Sequence, residues 1–454
     1  MSKDISANRI VEDLWKTLNN SEKDGVDSLN FNVFFAEEHL HDYGSMEDSK
    51  EIILQKSELL EYIKVKEDTF KLDKDIFLNE NDKVVEVPVY IGSNLRPFIS
   101  HYRFSKNEYV QDSKQHLKYK ISQLSLGPVI QLLMKKQANF AYSRLVRGMS
   151  RPWVFRSKPE LNIRINKELP TNKDEMKESL LDELLNPRLP LFVIKIVEQY
   201  DLKEAEFYKN YVNSLVFHMN LVNYRRNSYR TVEDLSDYLE GRASIPQTVK
   251  KEFSVPKLNY DKELTDLYSA GNWTDNPFTA FINYYQIIEY FFNKIPDDRL
   301  FEVVQSRLTS PLFSYNNRVD VMKLATKIYN LRQNDMNELN SLKIVLDHFL
   351  DIERLKKLLR EEDIQNCANI VPGFISGNKK KQVCFNINNF NNDRSSNIDR
   401  LAHRIYSIRN SLVHNKEGNQ NSYNPQHHYK MLLKEVPLMK AIASIIIINC
   451  GEVF

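Results

Sequence analysis

The segment DNPFTAFINYYQIIEYFFNKIP, residues 275–296, constrains the fold of this chain more than any other stretch. Asn276 can cap a helix whose first position is Pro277, where a missing N–H costs nothing, and Pro296 stands just past its end. At about 100° per residue, Phe278, Phe281, Tyr285, Ile288 and Phe292 fall on one narrow stripe, so the helix must be buried along it against other helices. Glu289 lies about 40° from Tyr285, inside the stripe rather than opposite it. It either reaches water at the stripe's edge or meets a cation or hydrogen-bond donors.

The chain stays helical nearly throughout after this element, whereas the residues before it are mixed. NRIVEDLWKTL (8–18) and KEIILQKSELLEYI (50–63) have helical spacing, and a further helix is expected over much of 111–147, interrupted by Gly127-Pro128. KVVEVPVYIG (83–92) and ELNIRI (160–165) read as strands. GRASIPQTVKKEFSVPKLNY (241–260) has two prolines, a glycine and no sustained period, and reads as a linker. The expectation is an α+β domain over 1–255, of unknown fold and function, followed by an all-α domain over 262–454. At 454 residues, two domains are expected rather than one. An Asn- and Lys-rich stretch, 372–397, is expected as a surface loop.

Charge gives no general case for polyanion binding, because 63 Lys and Arg balance 61 Asp and Glu. Any nucleic-acid site must be local. Two tracts, NYRRNSYR (223–230) and KKK (379–381), read first as solvated surface and second as a track for an RNA backbone. Cys367, Cys384 and Cys450 lack metal-ligand spacing and leave an odd thiol, which favours free cysteines in a reducing compartment. No signal-peptide run opens the chain, and the longest apolar run, at 441–449, is too short to span a bilayer. A cytoplasmic protein with no membrane partner is expected. His39 and His41 lie near carboxylates without an evident third ligand, so a polar loop is favoured over a metal site. The Gly-Ser of IGSN (91–94) could open a nucleotidyltransferase motif, but no Asp-x-Asp pair follows it. No cofactor is expected.

The chemistry-bearing stretch is RIYSIRNSLVHNKEG, 404–418. Leu401, Ile405, Ile408 and Leu412 form a helix-packing seam, and Gly418 is a natural stop. Asn410 and His414 are four apart and share a face, where the amide can orient the imidazole. Arg409 is about 140° from His414 on an ideal helix. One phosphate meets both only if the helix unwinds near His414 or if a second copy of the helix faces the first. The helix C-terminus favours the imidazolium form of His414 and so helps a general acid. RPFISH (Arg96 to His101) has the same spacing, but its Pro97 and its β-like or loop setting mark it as a chance match.

With RNSLVH in this context, the chain from about residue 265 to 454 resembles a HEPN domain. Enzymatic members of that superfamily carry an arginine, a polar residue after it, and a histidine four to six residues beyond. The resemblance implies an all-α bundle and a metal-independent endoribonuclease, of the kind common in bacterial antiphage defence and toxin systems. It implies RNA as substrate and a homodimer through the C-terminal domain, with two motif copies at a shared groove and, in a toxin system, a neutralising or sensor partner. Arg409, Asn410 and His414 would be catalytic, with Glu289 and Lys416 as supporting groups. The alternative is a HEPN-like module that binds RNA or a protein partner without cutting.

Overall fold

The computed structural model describes residues 6–18, 26–35, 49–93, 109–135, 146, 155–157, 160–165, 170–186, 191–222, 227–232, 235, 255–335, 337–375, 380–413 and 423–453. Two compact units divide the chain, Met1–Val212 with Arg225–Val255, and Asn213–Tyr224 with Pro256–Phe454. The first is mixed α and β and the second is mostly helical.

The first unit contains α1 (Ala7–Leu18), β1 (Ser28–Phe35), β2 (Ser49–Gln55), α2 (Lys56–Glu67), β3 (Lys71–Asp73), β4 (Ile76–Asn79), β5 (Val84–Ser93), β6 (Val110–Asp112), β7 (Leu117–Gln123) and α3 (Leu126–Lys135). It continues with β8 (Phe155–Ser157), β9 (Glu160–Ile165), α4 (Lys173–Leu185), β10 (Phe192–Glu198), the start of α5 (Ala205–Val222) and β11 (Asn227–Thr231). One sheet runs β2-β1-β9-β8, with β1 and β9 parallel. The other runs β3-β4-β5-β10-β7-β6 with β11 also on β5, all antiparallel. Strand alternation puts Leu117, Tyr119 and Ile121 on the face that meets α5, where the rings of Tyr119 and Tyr211 lie 6.1 Å apart. Two buried carboxylates fasten that helix. Tyr211 donates to Asp112 at 2.9 Å and Tyr208 to Glu198 at 2.8 Å.

Three expectations for local structure are corrected. Residues 49–55 form a strand, because Ile52 and Leu54 pair with Phe31 and Leu29 and are buried while Ile53 between them is exposed, a period of two. Of the stretch 50–63 only the part from Lys56 is helical, as the start of α2 (Lys56–Glu67). Residues 110–123 form the hairpin β6-β7, and Gly127-Pro128 opens α3 instead of interrupting a helix. A Cβ on Gly127 would stand 2.5 Å from Thr69 Oγ1 and 2.6 Å from the Lys66 carbonyl, so glycine is required where α3 meets the end of α2. The described part of the Asn- and Lys-rich stretch from Lys380 onward is not a surface loop. Its interleaved Val383, Phe385, Ile387 and Phe390 are buried in the core. Of the linker segment, 241–254 lies outside the described residues and Leu258–Asn259 forms a strand.

The second unit begins with the rest of α5, from Asn213, and with β12 (Leu258–Asn259). There follow α6 (Lys262–Trp273), α7 (Pro277–Glu289), α8 (Lys294–Leu308), α9 (Arg318–Asp335), α10 (Glu338–Phe349), α11 (Ile352–Leu358), α12 (Glu361–Asn369) and α13 (Lys380–Val383). A 3-10 turn at Phe390–Asp393 leads into α14 (Arg394–Val413), followed by α15 (Pro425–Leu433), α16 (Val436–Asn449) and β13 (Glu452–Val453), which pairs with β12. Asn276 caps α7, accepting from the Phe278 N–H at 3.0 Å, and Pro296 falls in the first turn of α8. Phe281, Tyr285 and Ile288 of α7 are buried, as are Leu401, Ile405, Ile408 and Leu412 of α14, and both helices share one apolar core with α16. No helix among the described residues is long and apolar enough to cross a membrane.

Candidate functional site

Three helices bring a polar cluster to one place: α7 supplies Tyr285 and Glu289, α10 supplies Glu338, and α14 supplies Arg409 and Asn410. Arg409 sits one residue after Ile408, so the seam that buries Ile405, Ile408 and Leu412 turns its side chain toward the edge of the core. There it retains 20 % of its accessible surface. Its Nη2 stands 3.2 Å from Glu338 Oε1 and 3.9 Å from Glu289 Oε1. Nη1 donates to Asn410 Oδ1 at 3.2 Å, and the guanidinium carbon lies 5.5 Å from the centre of the Tyr285 ring.

The two carboxylates are held differently. Glu338 is the first residue of α10, behind the Asn337 cap, where the helix dipole favours a negative charge. It also accepts from the Tyr285 hydroxyl at 2.6 Å. Burial and this hydrogen bond to Glu338 push the Tyr285 phenol well above its usual range, so it remains a donor. Glu289 retains 45 % of its side-chain surface, and at 3.9 Å from Arg409 it attracts by charge without a hydrogen bond. An exposed pair of that kind is worth at most about 1 kcal/mol. The 3.9 Å contact with Glu289 is the weaker of the two, whereas Glu338 and Asn410 hold the guanidinium within hydrogen-bonding distance.

Arg409, Asn410 and Glu289 are thus brought together, with Glu289 meeting a cation rather than water alone. His414 and Lys416 lie outside the described residues, as do Arg96, His101, His39 and His41. Glu338 was not singled out from sequence. The cap signal at Asn337 marks a helix start there, but nothing in it says that the next carboxylate will meet α14. A second missed residue is Arg404, which is fully buried and bidentate to Glu435, at 2.8 Å from Nε and 2.7 Å from Nη2. Its Nη1 donates to the carbonyls of Ile370 at 2.9 Å and Val383 at 3.3 Å. Asn366 donates to Glu435 Oε1 at 3.2 Å. This network ties α14 to the start of α16 and sets the rotation at which Arg409 is presented. Of the two arginines in RIYSIR, the first holds the helix and the second is offered to the site.

No protein-family model, curated protein or solved structure matches this chain.

Proposed function

We propose that the chain is a metal-independent endoribonuclease of HEPN type, acting in the cytoplasm as a homodimer in antiphage defence or a toxin system. The observation that carries the reading is the pre-aimed Arg409 guanidinium beside Asn410 near the C-terminal end of α14, in the sequence context RNSLVH. RNA supplies its own nucleophile, so the protein needs a base, an acid and a cation and no more. The 2′-oxygen attacks the adjacent phosphorus as its proton passes to a neutral His414. The bond from phosphorus to the 5′-oxygen breaks, and that oxygen takes a proton from the imidazolium of His414 on the second copy. Arg409 stabilises the charge that gathers on the non-bridging oxygens, and a fork held by Glu338 and Asn410 loses little freedom in doing so. The products are a 2′,3′-cyclic phosphate and a 5′-hydroxyl.

Arg409 and His414 need not reach one phosphate from a single helix, because the dimer supplies each from either copy. His414→Ala should lower cleavage by about two to four orders of magnitude, the usual scale for lost acid–base catalysis, and Arg409→Ala should be comparably damaging. His101→Ala should keep full activity. Equal activity of His414→Ala and the wild type in a single-turnover assay would remove the nuclease reading.

A further inference from the structure

We propose that the face of β6 and β7 in the first unit that carries Lys118 and Lys120, with Tyr109 beside it, binds single-stranded RNA. The choice of RNA rests on the nuclease reading, whereas the binding surface itself does not. Strand register puts Lys118, Lys120 and Lys195 on one side of the sheet. Lys118 and Lys120 are two apart on β7, about 7 Å along the strand, and Lys195 of β10 stands directly opposite Lys120. The intervening Tyr119 points to the other face, into the core.

Like charges directly opposite on neighbouring strands destabilise a sheet unless an anion relieves them. Among the described residues one carboxylate stands beside Lys195, and it is already committed to it. Glu86 is fully buried opposite Lys195, 3.1 Å from its Nζ, and also accepts from the Ser125 hydroxyl and, at 2.9 Å, from the Ser125 N–H. Asp112, at the end of β6, faces inward to Tyr211. Among the described residues neither Lys118 nor Lys120 has an acidic partner; each instead lies near the ring of Tyr109, at 5.4 and 4.5 Å from its centre. Tyr109 is itself 36 % exposed. Two lysines with no acidic partner among the described residues, around a partly exposed aromatic ring, are the combination that holds a single strand, with phosphates on the cations and a base against the ring. A flat anion site without the ring would suit a free phosphate as well; the tyrosine favours a strand with bases.

The test is fluorescence anisotropy with the full-length chain and a fluorescein-labelled 2′-O-methyl oligouridylate of about 20 nucleotides, which lacks the 2′-hydroxyl and cannot be cut by the proposed mechanism. Lys118→Glu/Lys120→Glu should weaken binding by about tenfold at roughly 100 mM salt. Replacing the pair by glutamine should reduce the slope of log K against log salt by about 1.4, at about 0.7 per phosphate released from a single strand. Tyr109→Ala should weaken binding by about fivefold or more. Wild-type affinity in the double glutamate variant, or no binding by the wild type, overturns the proposal and would point to another partner for the patch, such as an acidic protein. Lysine-dependent binding by a chain that fails to cut ordinary RNA would keep this surface and remove the nuclease reading.

Discussion

Arg404→Ala tests whether the buried pair with Glu435 holds α14 in place. The substitution leaves the Glu435 carboxylate, 2 % exposed, with Asn366 as its remaining side-chain donor, and it strips the Ile370 and Val383 carbonyls of the Arg404 donor. Removing one partner of a buried pair costs about 3–5 kcal/mol, because the other charge is stranded in the core. With a urea dependence of about 2–3 kcal/mol per molar, the second unit should unfold about 1–2.5 M earlier. Intrinsic fluorescence of Trp273, in α6, and circular dichroism at the helix band both follow that transition. The paired change Arg404→Met/Glu435→Leu should recover most of the loss, since apolar residues of similar volume can replace a buried ion pair. A midpoint shift below about 0.3 M for Arg404→Ala would refute the view that this network fixes the helix.

Arg409→Lys should restore only part of the activity lost in Arg409→Ala, because an ammonium cannot reproduce the fork that spans Glu338 and a phosphate; steady-state kinetics on one RNA substrate would measure this. Glu338→Gln should lower kcat by about tenfold by loosening that fork, whereas Glu289→Gln should leave kcat near wild type and lower KM by removing a competing charge from Arg409. The reverse ranking would mean that Glu289, not Glu338, positions the arginine. Burial pushes the Cys367 and Cys450 thiols up to about 12 and about 11, so iodoacetamide near pH 8 should label them only after unfolding, as read by mass spectrometry. Burial, aided by Lys257, holds His218 below its ordinary value of 6.5. The unfolded chain therefore takes up this proton first, and stability of the second unit should fall as pH drops from about 6.5 through the lowered folded value. His218→Gln should flatten that part of the profile in urea titrations.

Long elements with a sustained period were legible. In α7 and α14 the cap, the stripe and the seam all point the same way, and those helices carry the candidate site. Short elements misled for a physical reason: IILQ fits a helical face and a strand equally well over one turn, and only pairing with β1 decides between them. The stretch around Val383 and Phe390 was hidden by its composition, since asparagines and lysines surround a few apolar residues that the core takes in. At the site, the Arg409 and Asn410 pair could be read from local sequence, and so could the placement of Glu289 within the stripe. Glu338 could not, because its role depends on where α10 crosses α14, and helix periodicity carries no information about crossings. Arg404 and Arg409 look alike in sequence, five residues apart. Burial against Glu435 separates Arg404, held in the core, from Arg409, which keeps 20 % of its side-chain surface at the candidate site.

The most direct test of the central claim is cleavage of single-stranded RNA by the purified full-length chain in excess EDTA, with the product ends read by mass spectrometry. The account predicts cleavage that persists under chelation, spares DNA, falls by about two to four orders of magnitude in His414→Ala, and leaves 2′,3′-cyclic phosphate and 5′-hydroxyl ends. Cleavage abolished by EDTA, or products ending in a 3′-hydroxyl, would contradict it.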